Sequence, residues 1–182
     1  MSARAAAFNA RATLFWKADR LYRVYLDAGI LYFIRIGGQD LDWVMALSPA
    51  LGPLGAVIGG RIEQRKSERL ERVVAEFDRV PPQVRVLEHR HNLRIPGTEV
   101  TASTILPPDD SQYHGSHVGR WQFRRTDGAK WKLQFEDPVD LVIALKSLSS
   151  LLGNRLQVEA EWAAKIKEFE AVVRWLDPER LR

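Results

Sequence analysis

The sequence predicts an α+β fold: an antiparallel sheet that curls over itself, with a C-terminal amphipathic helix lying across its open end. Three observations carry this. Two stretches alternate β-forming residues around tight reversals, "RLYRVYLDAGILYFIRIGG" and "GRWQFRRTDGAKWKLQFED". A leucine-rich segment with helical spacing follows the second one directly. An antiparallel sheet with an apolar inner face needs such a cover, because its open edge and its inner side chains must leave water.

Each element is readable in turn. Residues 1–19 form an N-terminal lead-in, rich in Ala and Arg and free of acids before Asp19, and a short frayed or helical start is expected there. That composition also suits an organelle transit peptide, whereas no apolar core marks a secretory signal. Strands are expected at about 20–26 and 30–36, joined through Asp27-Ala28-Gly29, where Gly29 can take the positive φ of a tight turn. Both faces of this hairpin are largely apolar, so each needs a covering layer or the sheet must fold over itself.

A helical insertion of about 40–80 comes next. Its first part, Val44–Gly60, is seventeen uncharged residues with Pro49 and Pro53 inside it. As one helix it would reach only about 25 Å, against about 30 Å for a hydrocarbon core. Each proline would cost about 3 kcal/mol in a helix interior, so no transmembrane span is expected. The stretch reads as a buried or folded-over loop, a shallow dip into a membrane, or an oligomer contact through the close backbone approach that Gly55 and Gly59 permit. From Arg61 the spacing turns helical: Ile62, Lys66, Leu70, Val73 and Phe77 share a side, and near-balanced charges fill the remainder until Pro81-Pro82.

The segment "QVRVLEHRHNLRIPGTEVTASTIL" reads as extended chain broken at Pro96-Gly97, and "PPDDSQYHGSH" as a loop. In the late hairpin Trp121, Phe123, Trp131, Leu133 and Phe135 alternate with Arg120, Gln122, Arg124, Lys130, Lys132 and Gln134, giving one apolar and one basic face around Asp127-Gly128. Asp137 as N-cap and Pro138 at the first position open a helix with Asp140 in its first turn, which Gly153-Asn154 stops. A last helix is expected over about 156–176, with Val158, Trp162, Ile166 and Phe169 on one side. The domain therefore runs over 20–153, followed by a C-terminal helix within 154–182.

In this order the chain resembles the pleckstrin-homology (PH) superfold, in its bacterial PH-like and GRAM-like branch. The resemblance rests on "YRVYLDAGILYFIRI", "HNLRIPGTEVTAS" and "GRWQFRRTDGAKWKLQFEDPVDLVIALKSLSSLL". The helical insertion after the first hairpin and the extra C-terminal helix depart from that pattern. The resemblance implies binding and scaffolding roles, often at membranes, and no chemistry of its own.

Composition sets the outer limits on function. A chain of 182 residues with 46% hydrophobic and 27% charged residues is an ordinary globular one. The absence of cysteine removes disulfides and thiolate metal ligands and suits a reducing, cytoplasmic setting. A net charge of +4 and a pI near 9.6 favour anionic partners. The basic hairpin face, Arg120, Arg124, Lys130 and Lys132, with Arg125 at the turn, suits lipid phosphates or a nucleic-acid backbone, but the same residues also make an ordinary solvated face. The four histidines fall in two pairs, His89/His91 and His114/His117, whose union would make a zinc site. More often such histidines are plain surface residues.

No nucleophile elbow frames Ser103, Ser111 or Ser116. "GPLGAVIGG" has the wrong spacing for a dinucleotide fingerprint. The expected role is thus a non-enzymatic binding or scaffold module without a cofactor or metal. Its partner would be a protein or anionic lipid, reached from the cytoplasm at a membrane surface. A small zinc-dependent hydrolase using the four histidines and a nucleic-acid-binding module are the rival readings.

Overall fold

The computed structural model describes residues 6–12, 19–38, 68–108 and 117–176, with side chains described to residue 171. Val44–Gly60, His114 and the Asp109/Asp110 loop lie outside them. The described residues form an α+β fold with eight strands in one mixed sheet and four α-helices. The strands are β1 (Ala6–Ala12), β2 (Arg20–Asp27), β3 (Ile30–Gly38), β4 (Leu93–Pro96), β5 (Val100–Leu106), β6 (Gly119–Arg125), β7 (Lys130–Phe135) and β8 (Leu156–Val158). The helices are α1 (68–77), α2 (Pro82–Arg85), α3 (Pro138–Leu152) and α4 (Ala160–Leu176).

Strand order is β4-β3-β2-β1-β7-β6-β5-β8. Phe33 on β3 stacks on Trp121 of β6, centroids 6.0 Å apart and planes at 13°, although three strands stand between them in the sheet. The sheet therefore bends until its halves face each other across one apolar interior. Phe8, Tyr22, Val24, Leu31, Ile95, Ile105, Leu133 and Phe135 fill it, each 0–1% exposed. Leu141, Val142, Ala144, Leu148 and Leu152 of α3 belong to the same cluster, as do Trp162 and Ile166 of α4. Each buried Val, Leu, Ile or Phe among them contributes about 1.5–3 kcal/mol. Lys146 pairs with Glu170 at 2.7 Å and adds a tie between α3 and α4.

The expected hairpins are present at 20–27/30–38 and 119–125/130–135. Gly29 takes φ +79°, and Ala28 beside it is forced to +47°, the pair of left-handed residues that a two-residue hairpin loop requires. Asp137 caps α3 through Val139 N–H at 2.8 Å, and Gly153 ends it at φ +53°.

Four expectations need correcting. The lead-in expected at 1–19 contains β1, which pairs with β2 over its whole length and with β7 at Arg11 and Ala12. Its period of two is real, with Phe8, Ala10 and Ala12 buried, but alanine carries little strand preference, and the pairing supplies the structure. The stretch after Pro82, read as extended, first makes α2 and a turn before β4. The last helix begins at Ala160, because Leu156–Val158 form β8, parallel to Ser103–Ile105. The sheet is consequently mixed rather than purely antiparallel. Arg155 sets this up: its Nη1 donates to the carbonyls of Gly97 (2.8 Å) and Val100 (2.7 Å), holding the chain against β5.

The outer face of the first hairpin is covered, as its apolar character required. Tyr25, Tyr32 and Ile34 make a second cluster with Phe77 at the end of α1 and Val86 after α2. A polar clamp fixes the cover. Tyr25 donates its hydroxyl to Asp78 Oδ1 at 2.7 Å, and Arg23 donates to both Asp78 oxygens at 3.3 and 3.1 Å. Burial first, and then this bond to Asp78, push the Tyr25 hydroxyl above its ordinary pKa. Arg23 and Asp78 are each 13% exposed, so removing one member strands the other in a poorly hydrated place. Asp78→Ala is expected to cost about 3 kcal/mol in urea unfolding, and Asp78→Asn less, because it keeps an acceptor for Tyr25.

Candidate functional site

The β6–β7 hairpin presents the basic face that its alternation predicts. Its inner side chains are anchored: Trp121, Phe123, Leu133 and Phe135 are buried, while Trp131 is half-buried with its ring stacked on Phe123 at 6.0 Å. Trp121 Nε1–H donates to Ser103 Oγ at 2.8 Å, tying β6 to β5 inside the core. The outer residues are thereby held on a rigid two-stranded platform.

Register places Arg124 directly opposite Lys130, Gln122 opposite Lys132, and Arg120 opposite Gln134. Arg124, Lys130 and Lys132 are exposed, whereas Arg120 is half-buried. The neighbouring strand puts Ala102 beside Arg124 and Thr104 beside Gln122, so β5 offers no carboxylate. Among the described residues no ion pair involves Arg124, Lys130 or Lys132. Arg125, expected at the turn, ends β6 and is neutralised by Glu99 at 2.9 Å and Asp127 at 3.3 Å. Like charges directly opposite on a sheet are destabilising. The face thus holds Arg124 and Lys130 opposed at a cost in stability, with Lys132 beside them, and among the described residues no acid pairs with any of the three.

The histidine pairs are only partly described. His89 and His91 lie with ring centroids 5.1 Å apart, and His91 N–H donates to His89 Nδ1 at 3.1 Å. His117 is buried two residues before β6. Among the described residues no three metal-ligating side chains come together. Ser103, which no nucleophile elbow frames in the sequence, accepts the Trp121 bond in the core.

Asp140 has a role that sequence did not reveal. Its Oδ1 accepts Asn9 N–H at 2.8 Å and its Oδ2 accepts Asn9 Nδ2–H at 3.1 Å. β7 pairs with β1 only at Arg11 and Ala12, so the carboxylate satisfies a backbone donor that lies beyond that pairing. Burial is the main cause that raises the Asp140 carboxyl to about 6 from 3.8; the Asn9 bonds work against it and Asp137 adds to it. Its folded pKa exceeds its unfolded one, so the stabilisation is fully present below about pH 3.8 and is lost as pH rises through about 6. The interval corresponds to about 3 kcal/mol at most. Asp140→Asn is expected to remove that stretch of pH dependence in thermal unfolding while retaining the acceptor for Asn9 N–H.

Comparison with known proteins gives no match: no protein-family model, no curated protein and no solved structure matches this chain.

Proposed function

We propose that this protein is a non-enzymatic binding module of PH-like architecture that rests on an anionic membrane surface through the outer face of β6–β7. The observation that carries the reading is the cross-strand pair Arg124/Lys130 with exposed Lys132 beside it, three cations on a rigid platform without a described counter-charge. Lipid phosphates supply the missing charge, with each Lys or Arg near the surface contributing about 1 kcal/mol.

The PH-like reading is supported by the bend at Gly97 between β4 and β5 and by the α3 leucines within the strand cluster. Gly97 donates its N–H to Gly29 O at 2.9 Å, and a Cβ there would lie 2.6 Å from Leu151 Cδ1. Among the described residues no helix is long and apolar enough to cross a membrane, so attachment in this reading is by surface contact.

The test is flotation with neutral vesicles and with vesicles containing phosphatidylserine. Binding to the anionic vesicles alone, weakening with salt, is the expected result. A salt-dependent complex with random-sequence DNA or RNA and no binding to anionic vesicles would move the same face to the nucleic-acid class.

A further inference from the structure

A second group of cations lies away from the hairpin, where β2, β3 and the loop between α2 and β4 meet. We propose that Arg20, Arg35, Arg90, His89 and His91 form a binding site for a phosphate-like dianion, filled by free phosphate or by a phosphomonoester headgroup. The proposal stands independently of the hairpin face.

Sequence scatters these residues, and the fold assembles them. Arg20 begins β2, and Arg35 lies on β3 opposite Tyr22. The loop is held to β3 by Asn92, whose Oδ1 accepts Arg35 N–H at 2.8 Å and whose Nδ2–H donates to Arg85 O at 2.8 Å. Tyr22 adds its hydroxyl to the His91 carbonyl at 3.3 Å, and Asn92 N–H donates to His89 O at 2.9 Å. The loop therefore has a defined shape. Since His89 Nδ1 accepts the His91 N–H, the His89 proton sits on Nε2, leaving that atom as a donor.

Arg35 is also positioned. Its Nε donates to Gly37 O at 3.3 Å, and its Nη2 lies 3.1 Å from where a Gly38 Cβ would stand. Any side chain at residue 38 would collide with this guanidinium and with the Asp19 carbonyl, 2.9 Å away. The glycine pair closing β3 thus leaves space for a charge to fold back.

Among the described residues no ion pair engages Arg20, Arg35 or Arg90, and the neighbouring acid Asp19 pairs with none of them. Their fields meet at His91. Partial burial first, and then Arg20, Arg90, His89 and Arg35, hold its imidazole below the ordinary histidine pKa. Three guanidiniums without a counter-ion attract a dianion, and a guanidinium fork matches phosphate oxygens. A bound dianion would reverse the local field, so His91 takes up a proton on binding and the complex tightens toward acid pH.

The experiment is calorimetric titration of the full chain with sulfate, which stays a dianion from about pH 5.5 to about pH 8, so that any pH effect belongs to the protein. Expected are saturable binding about tenfold tighter at the acid end and an enthalpy near pH 7 that varies with the buffer's ionisation heat, the mark of proton uptake. Arg20→Gln/Arg90→Gln, at side chains that make no hydrogen bond among the described residues, should weaken binding at least about tenfold with an unchanged melting temperature. His91→Gln should flatten the pH dependence, and Arg124→Glu/Lys132→Glu should leave sulfate binding intact.

Inorganic phosphate and phosphatidic acid in neutral vesicles then separate the sources. Binding to either that is lost in Arg20→Gln/Arg90→Gln supports the site and names its occupant. Absent saturable binding, a pH-independent affinity, or full retention in Arg20→Gln/Arg90→Gln would overturn it.

Discussion

Trp121→Ala is expected to lower the unfolding free energy by about 3–5 kcal/mol, the range for emptying a large core position. Its side chain joins β1, β3 and β5 to β6 across the interior. Trp121 is fully buried, stacks on Phe33 from the far half of the sheet, meets Phe8 edge-on at 6.0 Å, and lies 4.6 Å from Phe123. Its Nε1–H also satisfies Ser103 Oγ, a hydroxyl on a residue only 2% exposed. The alanine variant loses the ring contacts and orphans that hydroxyl together. Trp121→Phe separates the two contributions: most of the ring contacts remain, and the loss should shrink to about 1–3 kcal/mol, the cost of the unpaired buried hydroxyl plus some lost area. Differential scanning calorimetry should place the alanine variant roughly 6–20 °C below wild type. An alanine variant within about 1 kcal/mol of wild type would mean that the two halves of the sheet do not meet on this ring.

Arg124→Glu/Lys132→Glu is expected to reduce partitioning onto phosphatidylserine vesicles by several hundredfold. Reversing two cations changes the charge at the surface by four, about 4 kcal/mol at about 1 kcal/mol per charge. Stability should move the other way. Arg124 faces Lys130 across the ladder, so Arg124→Glu replaces a repulsive cross-strand pair with an attractive one, a gain of about 0.2–1 kcal/mol. This opposition makes the prediction specific. A face that served only the fold would lose nothing in binding when its strain is relieved, and a variant that merely unfolds would lose binding and stability together.

The parts of the fold legible in sequence are those whose signals are local. Period-two alternation around Asp127-Gly128 and Asp27-Ala28-Gly29 marked both hairpins, and it sorted Trp121 and Phe123 from Arg120 and Arg124 onto opposite faces. Asp137-Pro138 and Gly153 bounded α3 because caps act within one turn. What failed depended on partners distant in the chain. β1, "AAFNARA", holds its shape through β2 and not through its alanines, and β8 is three residues held against β5 by Arg155. The site divides the same way. Arg124, Lys130 and Lys132 share one hairpin and could be grouped by counting residues. Arg20, Arg35 and Arg90 could not, since only the pairing of β2 with β3 and the Asn92 bridge bring them near His91. Asp140 carried no local sign of its bond to Asn9, 131 positions away. Of the four histidines, His89 and His91 bond to each other in the loop before β4, and His114 lies outside the described residues.

The most direct measurement is the affinity of wild type and Arg124→Glu/Lys132→Glu for vesicles with and without phosphatidylserine, in low and in physiological salt. Surface attraction through the outer hairpin predicts that wild type binds only the anionic vesicles and weakens with salt, while the variant fails to bind and melts no lower. Equal binding by both proteins, or wild-type binding indifferent to lipid charge, would contradict it.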